Sequence, residues 1–310
     1  MLFLLFLAPF FFNLTGLIDT YLISLFSKEQ NNWTIENSSG TLMIIWWIIA
    51  LLVSFFAYIY LWNKVFDISP NHIYILIFSG ILYGFAARPY FQALKTEKIE
   101  NIIPFLQTIP IFTYILWNIF LWETLSTISI ILMILIVIVT WLFSWDFTSG
   151  RFKIAWFLWT WLAALLYSSS YITFKLWWWE SISLWTSYFW EHIGVALSCL
   201  LFLFDNKIRS STFNYFRYNW IWFSLLNIWN EFFFIMGMLI QNALILIYTT
   251  AFINTIISWL QPLFWFIMVY IAYKILPQIY IRDYSKKEIL YKLILCIASF
   301  WLLYAFYIIQ

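Results

Sequence analysis

The chain has 310 residues, of which 65% are hydrophobic and only 10% charged, with a mean hydropathy of +0.87. Soluble domains run at roughly 45–50% apolar and about 25% charged, so this composition excludes a soluble globular protein. A net charge of +2 is too small to argue for a nucleic-acid partner, and Cys199 and Cys296 sit inside apolar runs, where a thiol is an inert small hydrophobe.

A helix needs about 20 apolar residues to cross the hydrocarbon core of a bilayer. Ten such runs follow one another, near 3–25, 41–62, 72–93, 101–121, 126–145, 154–174, 183–204, 218–244, 249–273 and 288–308. They are too long and too uniformly apolar for barrel strands. Polar connectors such as "SKEQNNWTIENSSG" and "DFTSGRFK" separate them and leave no room for a soluble domain. The expected fold is an all-α integral membrane protein of ten transmembrane helices.

Span one lacks a basic n-region and a cleavage site, so it is expected to be retained. It carries Asn13, Gly16 and Asp19, spaced by threes and so roughly on one face. Asn13, Asn32 and Asn37 each head an Asn-x-Ser/Thr triplet, too cheap a pattern to read as modification sites. Arg88, a turn from the end of span three, can snorkel to the interface as an anchor. Span four holds Gln107 between Pro104 and Pro110. Glu191-His192 on span seven are adjacent, hence about 100° apart, and are not expected to form a co-facial metal or acid–base site. Span eight has the richest polar stripe: Asn227, Asn230, Glu231 and Gln241. Intramembrane polar groups by default face the bundle interior, and Glu231 at mid-span is the proton-coupling candidate. Gln261 precedes Pro262 on span nine. "SKKEILYK" at 285–292 is a basic membrane flank.

The two halves echo each other. "PFLQTIPIFTYILWNIFLWETL" begins at Pro104 and "SWLQPLFWFIMVYIAYKILPQI" at Ser258; a slide of 154 residues lays Leu106-Gln107 on Leu260-Gln261. The expected copies are 1–148 and 149–310, five spans each. An odd-numbered copy must re-enter the membrane from the opposite side, which makes two inverted five-helix repeats, as in many secondary transporters.

Residues 89–126, "PYFQALKTEKIENIIPFLQTIPIFTYILWNIFLWETLS", resemble the third and fourth spans of the EamA-like family of the drug/metabolite transporter superfamily. The likeness rests on Ala93-Leu94, Pro110 and Leu121-Trp122-Glu123, where the family has Leu-Gly-Glu at the turn. It implies a permease, cavity-facing positions at Tyr90 and Gln92, a structural role for Glu123 in the turn, and cytoplasmic termini. Loop charge implies the reverse orientation. Lys and Arg concentrate after spans one, three, five, seven and nine, while the alternate loops carry only Lys64 and Lys175.

Trp122 stands where the resemblance has glycine. The chain holds 22 Trp and only 7 Gly, whereas membrane helices are richer in glycine than soluble ones. Trp46, Trp47, Trp161 and Trp265 lie within runs rather than at their interfaces, and Trp177-Trp178-Trp179 forms a connector. One reading is that many of these tryptophans stand for glycine, through a stop codon reassigned in the source organism. The other is a genuinely Trp-rich membrane protein from an AT-rich genome. UGG codons at these positions would end the first reading.

No nucleotide, metal or cofactor motif is present, and no enzyme activity is expected. The function expected is a multi-pass secondary transporter of the inner (cytoplasmic) membrane, carrying a small molecule by alternating access. Its candidate cavity residues are Asn13, Asp19, Tyr90, Gln92, Gln107, Asn227, Asn230, Glu231, Gln241 and Gln261. The partners are that substrate and the bilayer; monomer and homodimer stay open. Two alternatives are a non-transporting scaffold subunit and a membrane enzyme acting on lipid-linked substrates.

Overall fold

The computed structural model describes residues 2–28, 35–96, 99–121, 125–142, 154–176, 183–247, 250–275 and 286–309. These form the helices α1 (Leu2–Lys28), α2 (Ile35–Leu61), α3 (Pro70–Thr96), α4 (Ile99–Leu106), α5 (Ile109–Leu121) and α6 (Thr127–Leu142). They continue with α7 (Ile154–Lys175), α8 (Leu184–Leu200), α9 (Asn206–Ile247), α10 (Thr250–Ile275) and α11 (Lys286–Ile309). There is no strand among the described residues. Trp122, Glu123 and Trp177-Trp178-Trp179 lie outside them.

Seven helices among the described residues are long and apolar enough to span a bilayer, and Thr127–Leu142 and Leu290–Phe306 are apolar but shorter. The protein is therefore a multi-pass, all-α membrane protein. The seven fall short of the ten runs read from sequence partly because α7 is rich in hydroxyls, which lower its hydropathy. Those hydroxyls cost little in place, because three find a carbonyl one turn back, Ser168 on Ala164 at 2.8 Å, Ser169 on Leu165 at 2.8 Å and Thr173 on Ser169 at 2.7 Å, and Ser170 pairs with Ser79 of α3 at 3.1 Å.

The fourth run is not one helix. Pro110 brings no N–H, and the chain passes between α4 and α5 through a turn at 107–108, where Gln107 and Thr108 bond to Pro104 and Phe105 three residues back. Pro262, by contrast, sits inside a continuous α10. Elsewhere the ends are capped by side chains. Ser183 accepts from the Thr186 N–H at the start of α8, and Asp205 accepts from Lys207 and Ile208 at the start of α9.

Lipid tails are as apolar as leucine, so close packing must supply much of what holds these helices together. The seam between α3 and α8 shows how. A Cβ added to Gly80 would run into the Glu191 carbonyl, and one on Gly194 into the Ile77 carbonyl, so the two backbones lie directly against each other. α3 also packs on α7, α1 on α9 and α10, α2 on α8 and α9, and α6 on α11. The centre of the bundle is left to α1, α3, α7, α9 and α10.

The tryptophans divide by how they use their N–H. Trp190 donates to the Val65 carbonyl at 2.8 Å, Trp46 bonds the Glu231 carboxyl, and Trp117 carries the Lys175 ammonium 4.3 Å above its ring. Trp141, Trp161, Trp259 and Trp265 bury an indole N–H with no acceptor. Trp62 follows α2 with φ at 53°, the only positive φ of a non-glycine residue among the described residues. That is the backbone a helix end ordinarily gives to glycine.

Candidate functional site

A central cavity of about 120 Å³ opens between the helices. From α1 it takes Asn13, Thr15, Gly16 and Asp19; from α3, Tyr83, Ala87 and Tyr90; from α7, Tyr167 and Tyr171. α9 supplies Asn230 and Gln241, and α10 supplies Asn254, Ser258 and Gln261. The helical period explains the choice of residues. Positions 83, 87 and 90 repeat on one face of α3, 167 and 171 on α7, and 254, 258 and 261 on α10.

Two polar clusters cross this space. In the first, Asn230 donates from Nδ2 to Asp19 Oδ1 at 2.8 Å, and Tyr90 also hydrogen-bonds the Asp19 carboxyl. Thr15 donates to the Asn230 backbone carbonyl at 3.4 Å. In the second, Gln241 donates to Asn254 Oδ1 at 2.7 Å and accepts from the Tyr171 hydroxyl at 3.5 Å. Asn254 passes the chain on to Thr113 of α5 at 3.3 Å. Beside them, Gln107 donates to Gln261 Oε1 at 3.0 Å.

Of the residues expected from sequence, Asn13, Asp19, Tyr90, Asn230, Gln241 and Gln261 line the cavity. Gln107 touches it through Gln261. Asn227 is buried outside the cavity wall, and Gln92, two residues from Tyr90, is directed elsewhere around α3. Glu231 is next to Asn230 but faces a different space.

That space is a second, much smaller chamber of about 20 Å³ between α2, α3, α8 and α9. Glu231, Glu191 and His192 line it, together with apolar side chains, and Trp46, Tyr83 and Phe234 border both spaces. The adjacent Glu191 and His192 were expected to diverge; the chamber is wide enough around α8 to meet both. Glu191 Oε1 accepts from Ser79 at 3.2 Å, while its Oε2 is buried without a partner. His192 Nδ1 lies 2.9 Å from the Tyr188 carbonyl, which can only accept, so Nδ1 carries a proton. No group of three or more His, Cys, Asp or Glu suited to a metal ion occurs among the described residues.

Sequence reasoning missed Thr15, Tyr83, Tyr167, Tyr171, Asn254 and Ser258. Asn254 and Ser258 carried a usable signal, since they precede Gln261 by two turns and one turn on the same helical face. The tyrosines carried none, because nothing in their spacing separates them from the others among 20 in the chain. No family model matches the chain, and no curated protein matches it significantly.

Proposed function

We propose that the protein is a secondary transporter of the inner (cytoplasmic) membrane, built like the EamA-like permeases as ten helices in two inverted repeats. It carries a small molecule by alternating access. The observation that carries this reading is the central cavity, whose polar wall comes from both halves of the chain.

The repeat offset supports it. Gln107 and Gln261 are 154 residues apart and hydrogen-bonded, and the same offset joins Asn13 to Tyr167, Ala87 to Gln241 and Ile103 to Ile257, all of which line the cavity. Residues related by a two-fold axis meet one another only where the axis passes. The helix packing agrees: exchanging the copies turns the α3–α7 contact into α9–α1 and leaves α2–α8 and α6–α11 unchanged.

Alternating access needs a site that both sides can reach in turn, with its polar groups satisfied by substrate or by each other. Coupling to protons would run through Glu231, set in its own chamber one residue from Asn230. Counterflow in proteoliposomes, screened over amines, amino acids, nucleosides and sugars, tests the carrier reading. Exchange of at least one class that fails in the Asn254→Ala variant is expected. No exchange of any class by folded protein overturns it.

A further inference from the structure

The polar atoms of the central cavity are unbalanced in a way that specifies its ligand. Asn13 and Asn230 both line it, both are more than nine-tenths buried, and each keeps a side-chain carbonyl oxygen with no donor. Their amide orientations are fixed by chemistry. Asn13 Nδ2 points at the Pro9 carbonyl at 2.6 Å, which only accepts, and Asn230 Nδ2 at Asp19 Oδ1, which accepts when that carboxyl is ionised as the counter-charge to a cation. Gln107, next to the cavity wall, is in the same position: its Nε2 serves the Ile103 carbonyl and Gln261, and its Oε1 is buried without a donor.

The charge is unbalanced too. Among the described residues, Asp19 is the only carboxylic acid of the cavity wall, and no Lys, Arg or His lines it. The remaining wall is largely aromatic. Tyr83 lies 4.9 Å from Tyr167 and 5.9 Å from Phe234 between ring centroids, and Tyr90 lies 5.4 Å from Phe91. Ring faces attract cations, strongly so where water is excluded. A buried carboxyl without a cationic partner is costly, and a buried carbonyl without a donor costs about 1–3 kcal/mol.

From this excess of acceptors, single acid and aromatic wall we infer that the cavity binds a small organic cation bearing N–H donors, a primary or secondary ammonium. Asp19 is its counter-charge, the amide oxygens of Asn13 and Asn230 take its protons, and the rings pack its apolar part. An anion would meet Asp19 with no compensating base. A neutral alcohol would offer one donor where several are wanted. The inference rests on the proposed carrier only for what happens after binding.

The test is binding to the purified full chain in detergent at pH 7, by calorimetry, with four probes of one skeleton: 2-phenylethylammonium, its N,N,N-trimethyl analogue, 2-phenylethanol and phenylacetate. The primary ammonium is expected to bind at least tenfold more tightly than the alcohol, and phenylacetate most weakly. The trimethyl analogue, which has charge but no N–H, falls between. In Asp19→Asn the ratio of ammonium to alcohol affinity is expected to drop about tenfold. Equal or tighter binding of the alcohol or the acid, no saturable binding of the ammonium, or trimethyl binding as tight as the ammonium overturns the inference. The unmodified chain decides this even where Asp19→Asn does not fold. Ammonium binding without counterflow would remove the carrier and leave the cation site standing.

Discussion

Gln107 donates from Nε2 to Gln261 Oε1 across 3.0 Å, and the two stand 154 positions apart in the chain. Each lies beside a proline, Gln107 at the break between α4 and α5 and Gln261 ahead of Pro262 in α10. Cysteines at the two positions are expected to be bridged by a short bifunctional thiol reagent that makes up the length of the two side chains, which meet end to end. Cys199 is buried, and the half-buried Cys296 is first replaced by serine to remove background. Gln107→Leu and Gln261→Leu, read as a double-mutant cycle of unfolding in detergent, are expected to show a coupling of about 0.6 kcal/mol, the average for a hydrogen bond between membrane helices. Absence of both cross-link and coupling would separate the two glutamines.

Asn254 joins the polar chain of α9 to that of α5, accepting from Gln241 and donating to Thr113. Asn254→Ala removes both bonds and strands the Gln241 amide. A stability loss of about 1–2 kcal/mol is expected. Thermal unfolding in detergent measures it; unchanged stability would deny Asn254 its linking role.

Glu231→Gln keeps the size of the side chain and removes its exchangeable charge. Uptake driven by an imposed pH gradient is expected to fall to the undriven level, while counterflow, which needs no net proton movement, continues. Gradient-driven uptake that survives the change would place the coupling elsewhere, and Glu191→Gln in the same chamber is the next variant to read.

Much of the arrangement was legible because helices repeat simply. The spacing of Asn13, Gly16 and Asp19 put all three on one face, and all three line the cavity. The same rule misjudged span eight. Asn230 and Glu231 are neighbours, so the stripe that groups them is divided between two chambers, a division visible only once α2 and α8 are packed against α9. Pro104 and Pro110 marked the break at 107–108, but proline alone does not decide between a kink and a break, as the unbroken α10 shows. Tyr83, Tyr167 and Tyr171 were hidden because phenols suit both an interface and an interior.

The tryptophans allow a separate prediction. Trp62 holds a left-handed backbone, and Trp141, Trp161, Trp259 and Trp265 bury an N–H that bonds nothing. If these positions are glycine in the native protein, peptides from the source organism will carry the glycine mass at these five sites and tryptophan at Trp190, whose N–H is used. Indole masses throughout would retire the glycine reading. In a heterologous host, Trp62→Gly is expected to stabilise the chain by about 1 kcal/mol or more, since it relieves a bulky residue at positive φ.

The bare contact of α3 with α8 through Gly80 and Gly194 ties a helix of the first half to a helix of the second with no side chain to cushion sliding. Such a joint is rigid, so these two helices travel together. Any rocking that exposes the hollow must therefore divide the molecule along joints padded by larger groups, such as Phe6 and Phe10 of α1 against Phe264 of α10. In the proposed carrier the moving bodies would then be assembled from pieces of both halves, with the hinge between them away from the midpoint of the chain.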